Sequence, residues 1–104
     1  MTAPRGIAYA RIGAAALAHA DTLVRRWLPS GRREGSSEWT ALNPTRTDRR
    51  HGSFKVNLRT GRWSDFATGD AGGDLIALAA YLFHLDQAEA ARKIAAALGI
   101  DPDE

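Results

Sequence analysis

Six cationic side chains crowd a stretch of seventeen residues: Arg46, Arg49, Arg50, Lys55, Arg59 and Arg62. All but Lys55 are arginine, whose planar guanidinium presents paired donors matched to phosphate oxygens. Over the wider window 25–62, ten cations stand against Glu34, Glu38 and Asp48, a local +7. The rest of the chain holds four cations and nine acids, a local −5, so the net charge of +2 conceals a divided molecule. Such a distribution serves either a solvated arginine-rich surface or the electrostatic footprint of a nucleic-acid binder. The six cations are therefore the candidate phosphate contacts. Trp63, next to Arg62, reads either as core or as a platform for a stacked base, and Trp39 carries the same two readings.

Other chemistries find little to work with. Cysteine is absent, which removes disulfides, thiolate metal sites and cysteine nucleophiles together. His19, His51 and His84 have no short spacing between any pair, so a zinc site of protein ligands is not expected. The glycine-rich run 69–73 precedes a helix start, but Asp70 and Asp74 put negative charge where a phosphate would sit, and no Gly-Lys-Ser/Thr follows. Its glycines read instead as positive-φ positions in a tight strand-to-helix crossing. Asp65 with Asp70 lacks a partner base or a ligand cluster. No enzyme, metal or cofactor is expected.

Regular elements must hold the cations in place. From Ser53 to Leu58 the chain alternates, with Phe54, Val56 and Leu58 on one face and Lys55 and Asn57 on the other, the period of a half-buried strand. Arg59-Thr60-Gly61 is a turn, and 62–66 is a second strand carrying Trp63. A short strand over 38–43 precedes them, and 45–52 is an exposed basic loop. Helices are predicted over 11–28, 74–85 and 87–98. The first has apolar residues spaced three and four apart, the second has Asp74 as N-cap, and the third has Asp86 and Glu89 as a capping box and Gly99 beyond its end. The fold class is α+β, a small antiparallel sheet of three or more strands packed with three helices. Residues 1–10 read as a flexible N-terminus, 11–100 as one domain and 101–104 as a disordered acidic tail. No apolar run is long enough to span a bilayer, and the start carries no secretory pattern, so cytoplasmic residence is expected.

Pro44, Gly52-Ser53-Phe54-Lys55-Val56, Trp63-Ser64-Asp65-Phe66, Gly72-Gly73-Asp74-Leu75-Ile76 and the later Glu89-Ala90 to Leu98-Gly99-Ile100 together resemble the zinc-ribbon N-terminal domain of bacterial and phage DNA primases. The resemblance covers roughly 39–100. In that family a Cys-Pro-x-His pair and a Cys-x-x-Cys pair hold zinc. The corresponding places here are Asn43, Arg46, Asp65 and Thr68 or Gly69, which cannot rebuild a thiolate and imidazole site. The resemblance thus implies a metal-free relative, with Trp39, Trp63 and Phe66 expected to replace the ion by apolar packing. It implies no primase catalysis, which needs a separate polymerase domain.

Two functions follow as expectations. One is a non-enzymatic module that binds nucleic acid, single-stranded or template DNA, through a basic β-hairpin and loop. The other is a phage or mobile-element inhibitor, anti-CRISPR-like, that binds a protein partner in replication or host-defence machinery. No membrane partner is expected in either.

Overall fold

The structure is a computed structural model and describes residues 6–47, 49 and 52–104. Helices α1 (Tyr9–Ala18) and α2 (Ala20–Trp27) lead into strands β1 (Arg32–Glu34), β2 (Glu38–Ala41), β3 (Phe54–Asn57), β4 (Trp63–Asp65) and β5 (Ala71–Gly72). Helices α3 (Leu75–Phe83) and α4 (Gln87–Leu98) close the chain. The five strands form an antiparallel meander in the order β1-β2-β3-β4-β5. The fold is α+β, as the sequence pattern predicts. Among the described residues no helix is long and apolar enough to cross a membrane.

Alternation decides which sheet face meets the helices. Trp39, Ala41, Phe54, Val56 and Trp63 share a face by register and are all buried. Phe54 and Trp63 pack on Tyr81 of α3, with ring centroids 6.3 and 4.7 Å from its own. Ile12, Val24, Leu78 and Ile94 complete the core from all four helices. At roughly 1.5–3 kcal/mol per large apolar side chain removed from water, this layer supplies the main stabilisation.

Four departures from the sequence reading have physical causes. The helix expected over 11–28 divides at His19, with no glycine or proline between residues 14 and 28 to mark the break. The division is tertiary: α1 packs on α3 and α4, while the end of α2 turns toward β2, where Trp39 Nε1 donates to the Leu28 carbonyl at 3.0 Å. The loop expected after it contains β1, whose three exposed residues carry no alternation to read. In the 69–73 run only Gly69 has positive φ, and Ala71–Gly72 form an edge strand. Residues 1–5 of the expected flexible N-terminus lie outside the described residues, but the adjoining residues meet the C-terminal segment: Ile7 bridges Asp103, Glu104 N donates to Gly6 O, and Arg11 donates to the Asp101 and Asp103 carbonyls.

The helix caps follow the sequence closely. Asp74 accepts from Ala77 N at 2.8 Å, and Asp86 and Glu89 complete the capping box. Gly99 closes α4 at φ 69°, while α3 closes on His84 at φ 55°, a left-handed position occupied by a residue with a Cβ. Exposed His84 accordingly marks removable strain. His84→Gly is expected to raise stability by about 1 kcal/mol, read as a higher denaturant midpoint with unchanged slope; an unchanged or lower midpoint refutes it.

Candidate nucleic-acid interface

The sheet face turned away from the helices is open, and register fixes its occupants. Arg32, Thr40, Lys55, Ser64 and Ala71 lie abreast across the five strands. Glu34, Glu38 and Asn57 form the neighbouring row, extended by Arg62, whose carbonyl accepts from Asn57 N at 2.7 Å. On the other side Phe66 stands beside Ser53, its amide donating to the Ser53 carbonyl at 2.9 Å. Lys55, Asn57, Arg62, Ser64 and Phe66 line a shallow depression of about 610 Å³, bounded by Glu38 and by 71–73 at the β5 edge.

Phe66 is 75% exposed. It was expected in the core, yet it shares the outward parity of Arg62 and Ser64, opposite to Trp63 and Asp65. That parity was present in the sequence as the signal. Trp63, the candidate stacking platform, is instead core. It packs against both Phe54 and Tyr81, with its indole against Gly72, where an added Cβ would come within 2.5 Å of the ring. Among the described residues its buried Nε1 has no hydrogen-bond partner. Trp39 is core as well, stacked beneath the Arg25 guanidinium.

The six expected cations separate. Arg59 and Arg62 are exposed at and beyond the β3–β4 turn, and Arg49 is exposed in the preceding loop; none of the three has an ion-pair partner among the described residues. Arg50 and His51 lie outside the described residues. Lys55 sits on the open face with Nζ 3.1 Å from Glu34 and 3.9 Å from Glu38. Its hydrogen bond, followed by that of Thr40, pulls the Glu34 carboxyl below its usual value.

Arg46, expected among the phosphate contacts, is engaged by Asp65. Its Nε lies 2.9 Å from Oδ2, and a second nitrogen reaches Oδ1 at 3.2 Å and Ser53 Oγ at 3.1 Å. Asn43 Nδ2 joins from the end of β2, 2.8 Å from Asp65 Oδ2 and 2.9 Å from the Tyr81 hydroxyl. Ala67 N donates to Asp65 Oδ1, and the amides of Thr68 and Gly69 donate to its carbonyl. Asn43, Arg46, Asp65 and the Thr68 and Gly69 amides are thus joined in one charged hydrogen-bond cluster. Of the three aromatic residues expected to pack in the core, Trp39 and Trp63 do so and Phe66 does not.

Asp65 has no exposed surface. Burial alone would push its carboxyl up, but hydrogen bonds from Arg46, Asn43 and the Ala67 amide, with the Arg46 charge, outweigh it and hold the pKa at about 2, below the ordinary 3.8. A carboxyl depressed on folding stabilises fully above its unfolded pKa and loses that contribution as pH falls through the folded one. The wild type should lose roughly 2 kcal/mol by this route between about pH 4 and pH 2. Asp65→Asn, weaker at neutral pH, should lack that component in denaturant titrations across the same range. Arg46→Met strands the buried carboxylate and should cost about 3–5 kcal/mol; a loss under about 1 kcal/mol would show that the pair carries little of the fold.

No family model, curated protein or solved structure matches the chain.

Proposed function

We propose that the chain is a non-enzymatic nucleic-acid-binding module that holds a single strand across its open sheet face. The observation that carries this reading is Phe66, an aromatic ring left three-quarters exposed at a depression shared with Lys55 and Arg62. An exposed ring beside cations is the pairing that single-strand binders use: the ring stacks a base, and the cations follow the phosphates. Arg59, Arg62 and Arg49 supply uncompensated charge, and Lys55 shares its own with Glu34 and Glu38. The glycines at 72 and 73 keep the β5 side of the depression low. The likeness to primase zinc-ribbon modules supports the same reading, with Asp65 and Arg46 taking the shaping role that a metal has there.

The two carboxylates beside Lys55 favour the second reading, a protein-binding inhibitor of a nucleic-acid-handling complex, because a mixed-sign face suits a charged protein surface.

Oligonucleotide titration separates the two. Phe66→Ala should leave the unfolding midpoint within about 0.5 kcal/mol of wild type, since the ring is exposed. It should weaken single-stranded binding by about 1–3 kcal/mol. Replacing Arg59 and Arg62 by alanine should flatten the salt dependence by about one phosphate contact each. No binding at low salt by the wild type would remove the nucleic-acid reading in favour of the protein one.

A further inference from the structure

A different surface, on the helical side of the molecule, has its own chemistry. The end of α2, the end of α3 and the second half of α4 enclose a groove of about 450 Å³. Its walls are Trp27 and Phe83, packed edge to face at 6.0 Å, and its floor includes buried Ile94. The first half of α4 sends Gln87, Glu89 and Arg92 outward, whereas in the second half Lys93, Ala96 and Ala97 are exposed and line the groove. Phe83 is left 37% exposed where a core aromatic would be covered. The space matches one or two large apolar side chains.

Its charge is one-sided. Arg26 and Lys93 stand at the rim, Lys93 with its Nζ 4.9 Å from the centre of the Phe83 ring. Neither has an ion-pair partner among the described residues, and no carboxylate lines the groove. Apolar walls between two unanswered cations complement one chemistry, an apolar side chain flanked by carboxylates. We propose that this groove docks an acidic peptide segment of a partner protein, with a single large aromatic or aliphatic side chain inserted between Trp27 and Phe83 and its carboxylates on Arg26 and Lys93. The proposal stands apart from the nucleic-acid reading, since none of these residues belongs to the open sheet face.

Heteronuclear NMR on the isotope-labelled full chain tests it, with the capped peptide Asp-Glu-Phe-Leu-Asp-Asp as probe. Saturable shifts are expected at the Trp27 indole, Ala96 and Ala97. Binding should be at least about tenfold weaker for Asp-Glu-Ala-Ala-Asp-Asp, which lacks the anchor, and for Lys-Lys-Phe-Leu-Lys-Lys, which reverses the charge. The exposed pair Arg26→Glu with Lys93→Glu should invert the order of the acidic and basic peptides. Should that variant fail to fold, the three peptides against the wild type decide the matter alone. An equal response to all three peptides, shifts confined to other surfaces, the same residues responding to oligothymidylate, or the groove closed by self-association in sedimentation would each overturn it.

Discussion

One buried carboxylate, Asp65, sets the geometry where β4 ends and the following turn begins. Asp65 ends β4 with no contact with solvent, and a charge so placed is tolerated only where donors surround it. Those donors come from two directions, Arg46 and Asn43 from the segment after β2 and the Ala67 amide from its own turn, and Asn43 donates its other proton to the hydroxyl of Tyr81 on α3. Each is anchored elsewhere, so satisfying Asp65 fixes a loop, a turn and a helix together. Removing any one donor leaves the ion with less than its burial requires, which is why polar clusters of this kind specify a single arrangement more strictly than an apolar contact does.

The consequence for the open face is direct. The turn that Asp65 organises begins at Phe66, and its closure through the Thr68 and Gly69 amides leaves that ring pointing into water. Phe66 takes the outward parity it shares with Arg62 and Ser64, and the turn fixed by Asp65 holds it there. Lys55 follows the same parity on β3. Helices cover only the other face, and their outer surface keeps its own chemistry, an aromatic groove edged by Arg26 and Lys93. A sheet covered on one side gives this small chain two separate surfaces of different chemistry, one an exposed ring among charged and polar side chains and one an aromatic groove between two cations.

Much of this was legible in the residues. The alternation of Phe54, Val56 and Leu58, the N-caps Asp74 and Asp86 and the C-terminal Gly99 are local signals, and each element forms where they put it. Strand β1 had no apolar period to reveal it, because all its residues are exposed at the sheet edge. The break at His19 has no local mark, because it serves packing against elements far along the chain. Arg46 gives no local sign of its role for a related reason: composition counts an arginine as surface charge, whereas its partner lies nineteen positions away. Phe66 carries its outward parity in the sequence, but its apolar character alone points to the core.

The two outer margins of the sheet share a device. At one, the indole of Trp39 presses on Gly31; at the other, that of Trp63 presses on Gly72, and at both sites a methyl group would overlap the ring. Each tryptophan works as a wedge driven against bare backbone, so the breadth of the sheet is gauged by two hydrogen atoms that cannot be traded for carbon. Gly73, next door to one of them, meets nothing within 4 Å and is free to carry a side chain. A side chain is thus excluded at Gly31 and Gly72, at Gly31 by the Thr40 carbonyl as well as the ring, and has room at Gly73.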